Sequence, residues 1–202
     1  MKVLPCGDRG LLLEVEDLDA VLTLYAALQN AALPGVVDLV PAARTVLVKT
    51  DGRVDLSHVR AGLHGLPLVR HERPVTRTVD VPVTYDGADL ETVAALLGMS
   101  AEALAQLHSS QLWTVAFSGF APGFAYLVST SGMPDVPRRH EPRPHVDRGS
   151  VALGGEFTGI YSKDSPGGWQ VIGRTALTMW DLDRDPPALL VPGLQARFVE
   201  AS

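Results

Sequence analysis

The sequence has 202 residues, 46% apolar and 20% charged, with a net charge of −6 at pH 7, which fits a folded chain of one large domain or two small ones. The negative balance argues against nucleic acid or an anionic membrane as a general partner. A single cysteine, Cys6, excludes an internal disulfide framework, and the absence of a signal-peptide core or a bilayer-length apolar run makes the cytoplasm the expected location.

Leu11, Leu13 and Val15 alternate with other residues, the pattern of a strand. Over residues 18–33 the period changes. Leu18, Val21, Leu22, Tyr25, Leu28 and Leu33 share one helical face, and Pro34-Gly35 is its stop. Two β-rich runs follow, Val36–Val40 and Thr45–Lys49. A second helix is expected from Asp55, with Leu56, Val59, Leu63 and Leu66 on one face. This order predicts a compact sheet with helices packed on one side. The polar stretch Arg70–Arg77 marks a boundary between domains 1–77 and 78–202.

Val79–Tyr85 again alternates as a strand. One short helix is expected from near Asp89 to Gly98, and another from a Ser100 cap to about His108. After residue 110 short apolar runs are separated by Gly and Pro clusters. The runs are Trp113–Phe117, Ser150–Leu153, Trp169–Ile172, Leu177–Trp180, Leu189–Val191 and Gln195–Glu200. They predict a closed or nearly closed β-barrel. The expected class is α+β, a small N-terminal α/β domain followed by a C-terminal β-barrel.

Three stretches carry the chemistry. In FSGFAPGFAY, residues 117–126, Gly119, Pro122 and Gly123 lie among Phe117, Phe120, Phe124 and Tyr126. Such a loop is either an ordinary barrel turn or the wall of a pocket for a small planar group. In residues 137–149, Arg138, Arg139, Arg143 and Arg148 stand among prolines, with His140 and His145. Arginine forks suit carboxylates and phosphates, and the Arg-Pro alternation favours that role over a solvated loop. The histidines share no register that would make them metal ligands, so no metal site is expected. In residues 154–175, Ser165-Pro166-Gly167-Gly168 forms a tight turn able to offer backbone N–H groups to an anion. The spacing from Gly168 to Gly173-Arg174-Thr175 mimics a P-loop, but Trp169–Ile172 reads as strand inside it, and no helix follows. With only Lys2, Lys49 and Lys163 as lysines, a Ser-Lys amidase site cannot be assembled.

Taken in order, these stretches resemble the KipI/PxpB family, also called allophanate hydrolase subunit 1. The matching residues are Leu107-His108-Ser109, Gly119-Phe120-Ala121-Pro122-Gly123-Phe124, Pro137-Arg138-Arg139, Pro142-Arg143, Gly149-Ser150-Val151-Ala152, Thr158-Gly159-Ile160-Tyr161, Ser165-Pro166-Gly167-Gly168-Trp169 and Ile172-Gly173-Arg174-Thr175. The sequence departs from the family at Pro144–Gly149 and at Tyr161-Ser162, both expected in loops. The resemblance implies a cyclophilin-like barrel in the C-terminal domain. It implies the B subunit of an ATP-dependent 5-oxoprolinase, which opens 5-oxoproline to L-glutamate with ATP and magnesium. The implied partners are a KipA/PxpC-like and a PxpA-like subunit in a hetero-oligomer. Two other readings stay open: a regulatory module that inhibits a sensor histidine kinase, and a subunit of an allophanate- or urea-type amide hydrolase or carboxyltransferase.

Within the enzyme reading, Arg139, Arg143 and Arg174 are expected to neutralise phosphate or carboxylate charge. His108 is either an acid–base group or a helix-end histidine satisfied by backbone. Gly167 and Gly168 are expected to bring backbone donors to the ligand. Phe120, Tyr126 and Trp169 are expected to line the pocket with Pro122, Gly123, Ser150, Thr158, Tyr161 and Ser165. Replacing Arg143 with alanine is expected to abolish activity without unfolding the chain.

Overall fold

The structure is a computed structural model and describes residues 1–69 and 77–201. The chain divides into two compact units, Met1–Arg73 and Pro74–Ser202. The boundary stretch expected at 70–77 lies outside the described residues except for Arg77.

The first unit is a four-stranded antiparallel sheet in the order β1-β2-β4-β3, formed by β1 (Lys2–Pro5), β2 (Gly10–Glu14), β3 (Val36–Pro41) and β4 (Thr45–Thr50). Helix α1 (Leu18–Ala31) packs on β3 and β4, and α2 (Leu56–Leu63) on β2. The alternation seen in the sequence gives the sheet its apolar face. Leu11 pairs with Val48 and Leu13 with Val46, all four buried. Each helix starts on an aspartate that accepts an N–H, Asp17 from Ala20 and Asp55 from Ser57, both at 2.8 Å. Helix α1 ends at Ala31, short of the expected Leu33, because Ala32 adopts the left-handed conformation and its N–H closes on the Leu28 carbonyl.

The second unit is a seven-stranded sheet in the order β12-β9-β10-β7-β6-β13-β5. Its strands are β5 (Thr78–Val83), β6 (Leu112–Ser118), β7 (Ala125–Ser129), β9 (Ser150–Gly154), β10 (Phe157–Ile160), β12 (Gln170–Arg174) and β13 (Gln195–Glu200). A separate ribbon pairs β8 (Arg143–Val146) with β11 (Ser165–Gly167). The large sheet curls into a half barrel. Its edge strands meet where Thr84, just past β5, exchanges two backbone hydrogen bonds of 2.9 Å with Arg174 at the end of β12. The chain then stays on the free edge of β12, with Gly87 N–H donating to Ile172 O and Asp89 N–H to Val171 O. Helices α3 (Leu90–Leu96) and α4 (Ala101–Ser110) follow, packed on β12 and β13 respectively.

Two expected strands are absent. Leu177–Trp180 and Leu189–Val191 are loop, joined by a single bridge between Trp180 and Ala188. Prolines at 186, 187 and 192 flank the second run and remove donors that a ladder needs. Five strands, β1, β7, β8, β10 and β11, have no counterpart among the expected runs. β10 is buried at every position, so it has no alternation to detect.

Candidate functional site

The hairpin β6–β7 turns through residues 119–124. Ala121 N–H donates to Gly119 O at 2.7 Å, and the residue between them, Phe120, has φ +65°. A bond spanning two residues with positive φ at the centre is the rare, strained γ-turn. It holds the Phe120 ring outward, 59% exposed. Gly123 closes the turn with φ +79°, and a Cβ there would lie 2.8 Å from Trp180 Cβ and 3.0 Å from Met179 O. Only glycine satisfies both the conformation and the space.

Behind this turn the aromatic rings of the three stretches meet. Phe117 stacks on Tyr126 with centroids 4.4 Å apart. Phe124 and Tyr126 each reach Trp169 at 5.5 Å, and Tyr161 lies 5.7 Å from Phe124 and 6.0 Å from Phe120. The Arg138 guanidinium sits 5.9 Å over Trp169. Three glycines make room for these rings. A Cβ at Gly154 would strike Trp169, at Gly159 Phe124, and at Gly167 the Tyr161 hydroxyl. Gly167 therefore faces a ring, and the Gly168 carbonyl accepts the Arg139 N–H at 2.8 Å.

The arginines have a different destination from the one expected. Asp89, 2% exposed, receives Arg143 Nη1 on Oδ2 and Nη2 on Oδ1, both at 2.7 Å. It also receives Arg139 Nη1 at 2.8 Å and the Val171 N–H at 2.7 Å. Burial works to raise the Asp89 carboxyl. The hydrogen bonds from Arg143 and Val171 and the charges of Arg143 and Arg139 outweigh it and hold the group below the usual carboxylate range. Arg174 is likewise taken, by Asp86, with Nε and Nη2 each 2.8 Å from Oδ2. All three arginines expected to carry phosphate charge are thus ion-paired within the chain, with Arg139 and Arg143 sharing the one carboxylate of Asp89. Asp89 opens α3, as its sequence position suggests, yet its side chain makes no cap bond and turns to the arginines instead.

His108 lies inside the barrel unit at 0% exposure, against Trp113 and Phe198 at 4.9 and 4.4 Å. The Thr158 hydroxyl donates to Ala152 O, so it accepts from His108 Nε2–H at 2.9 Å, and the Tyr85 hydroxyl donates to Nδ1 at 2.8 Å. Burial pushes the imidazole down to about 3 and raises the Tyr85 hydroxyl well above its ordinary value. A neutral imidazole with both nitrogens occupied and no solvent contact is a packing element, not an acid or base. It is satisfied by side chains, not by backbone. Thr158, fully buried on the same network, leaves the ligand wall with it. Ser150 is buried on β9 opposite Arg174, Pro122 is exposed on the turn, and the Ser165 hydroxyl is buried without a hydrogen-bond partner. Of the expected lining, Phe120, Gly123, Tyr126, Tyr161, Gly167 and Trp169 come together.

Next to Tyr161 a cavity of about 420 Å³ opens between the turn at Arg148-Gly149 and residues 175–180. Its other lining residues include Ser162, Thr175, Thr178 and Trp180, none of which was among the expected ligand-lining residues. A second groove of the same unit, about 590 Å³, is edged by Glu91, Glu102 and Glu200. Among the described residues no single helix is long and apolar enough to cross a membrane.

The family described as carboxyltransferase domain, subdomain C and D, matches residues 1–190. The 5-oxoprolinase B subunit of Escherichia coli O157:H7 is 41% identical over 172 residues, 83% of this chain and 79% of the relative. The protein of the same name from Bacillus subtilis (strain 168) is 32% identical over 205 residues, 93% of this chain and 85% of the relative. The crystal structure of TTHA0988 matches at a TM-score of 0.77 and 38% identity over 96% of this chain, which spans only 40% of that longer one. The Kluyveromyces lactis urea amidolyase shares the fold at a TM-score of 0.80 and 19% identity, with 99% of this chain covered and 15% of that one.

Proposed function

This chain belongs to the carboxyltransferase domain family, subdomain C and D, and from that premise we propose that it is the B subunit of an ATP-dependent 5-oxoprolinase that opens 5-oxoproline to L-glutamate. The observation that carries this reading is the 41% identity to a 5-oxoprolinase B subunit across four fifths of both chains. The site geometry supports a role shared with partners. Of the aromatic cluster, Phe120 is exposed and Tyr161 lines the neighbouring cavity, surfaces that suit a small planar ring. Arg139, Arg143 and Arg174 are bound to Asp89 and Asp86, and His108 is sealed in the core. A chain so arranged binds and orients an amide while other chains supply the reacting groups.

The residues here do not fit a triphosphate. Arg139, Arg143 and Arg174 each face a carboxylate, and Gly167 faces a ring. ATP with its magnesium is therefore assigned to residues of a KipA/PxpC-like or PxpA-like partner, in the cytoplasm, where ATP is supplied. Exposed Phe120, Trp180 and Leu182 around the cavity mouth give a partner an apolar surface to cover.

Reconstitution tests this. Mixing the three chains with 5-oxoproline and ATP should release glutamate, and omitting this chain should stop it. Undiminished glutamate release without this chain, or co-purification with a histidine kinase and no enzyme subunit, would overturn the reading.

A further inference from the structure

The cavity of about 420 Å³ beside Tyr161 is built, not incidental. Its floor is tied by three backbone hydrogen bonds: Gly149 N–H to Tyr161 O at 2.7 Å, Thr175 N–H to Gly149 O at 2.8 Å, and Tyr161 N–H to Ser150 O at 2.9 Å. Arg148 and Gly149 form the corner of a turn closed by Ser150 N–H on Asp147 O, with φ +83° at Gly149, the pattern of a type II turn. A Cβ at Gly149 would strike Thr175 O, so this corner and the 175–180 segment are fixed against each other.

The chemistry of the lining points one way. Arg139, Arg143, Arg174, Arg184 and Arg197 each lie within salt-bridge distance of an aspartate. Arg148 lines the cavity, and among the described residues no carboxylate pairs with its guanidinium. Ser162 is in the same wall, and its hydroxyl, closed off from solvent, has no hydrogen-bond partner among the described residues. Leu177 and Trp180 supply an apolar side. The volume lies at the small end of the range for small-molecule sites.

We infer that this cavity binds a small, singly charged carboxylate, with the Arg148 fork as its counter-ion and Ser162 and Trp180 against the body of the ligand. A single guanidinium matches one carboxylate in charge and in its paired-donor geometry. A nucleotide triphosphate carries several negative charges, which one guanidinium does not match. The inference rests on the cavity and not on the substrate proposed above.

The test uses the full chain and three ring compounds of similar size, with binding followed by calorimetry and by the Trp180 indole N–H resonance. Cyclopentanecarboxylate has the carboxylate alone, 2-pyrrolidinone the lactam alone, and L-5-oxoproline both. The two carboxylates should bind and shift the Trp180 signal, and 2-pyrrolidinone should not. Arg148→Ala should weaken carboxylate binding at least tenfold, and Arg148→Lys should fall between. Carboxylate binding that is absent, that is unchanged in Arg148→Ala, or that is matched by inorganic phosphate would overturn the inference. Arg148-dependent binding of cyclopentanecarboxylate without binding of 5-oxoproline would uphold the pocket and count against the proposed substrate.

Discussion

Arg143 grips Asp89 through both ends of its guanidinium, each contact 2.7 Å, across 54 residues of chain. Asp89 Oδ2 also takes the N–H of Val171 on β12, so one carboxylate ties the arginine arm to the seam of the half barrel. Asp89→Ala leaves two arginines and an amide without their acceptor. It should cost roughly 3 kcal/mol in urea unfolding. Arg143→Ala should also destabilise, contrary to the expectation from sequence that it would act on activity alone. The ion pair's contribution is present above the ordinary carboxylate range and is lost as pH falls through the depressed value of Asp89.

His108 makes acid stability measurable at a single group. Its imidazole titrates near 3 when folded and near 6.5 when unfolded. Below pH 6.5 the unfolded chain takes a proton that the folded chain refuses. The stability is therefore full above 6.5 and drains as pH falls towards 3, by up to about 1.4 kcal/mol per pH unit. His108→Gln should unfold more readily at pH 7 yet show a shallower loss across that window, read from urea midpoints at successive pH values. An unchanged slope would mean that His108 is already charged in the fold.

The Phe120 turn stores strain where the ring is presented. Phe120→Gly relieves the positive φ and should raise the unfolding midpoint, by an amount equivalent to about 1 kcal/mol. The same change should weaken catalysis by the reconstituted complex. A lower midpoint would show that ring contacts outweigh backbone strain here.

Gly167 and Tyr161 should couple. Gly167→Ala drives a methyl into the Tyr161 hydroxyl and should cost about 1–3 kcal/mol. Tyr161→Phe removes the nearest of the atoms struck and leaves the ring edge, so the relief is partial. The double variant should lose clearly less than the sum of the singles, a coupling that chemical denaturation can read.

Helices are the most legible part of this chain because periodicity and capping agree. Ser100 accepts the Ala103 N–H at 3.1 Å and Asp55 the Ser57 N–H, at the two starts that the sequence pattern predicts. Strands are legible only when one face is wet. Thr78–Val83 alternates exposed and buried, whereas Phe157–Ile160 is buried throughout and carries a glycine. The aromatic cluster is traceable from the sequence because Phe117, Phe124 and Tyr126 lie on one hairpin. The fate of the arginines is not. Nothing local marks Asp89 as their partner, since a helix-opening aspartate has a sufficient reason to be there already. The burial of His108 is equally silent, because a histidine at a helix end reads as polar until Trp113 and Phe198 close over it.

Strand β13 occupies an inner place in the seven-stranded sheet, antiparallel to β6 on one side and parallel to β5 on the other. Its residues 195–200 meet residues 78–83 across more than half of the polypeptide. While the chain is being synthesised, β5 therefore waits without a neighbour on that side until residues 195–200 have left the ribosome. An open apolar edge held for that long invites pairing with other nascent chains, so shielding by a chaperone matters more to this unit than to the first, whose four strands are all complete by residue 50.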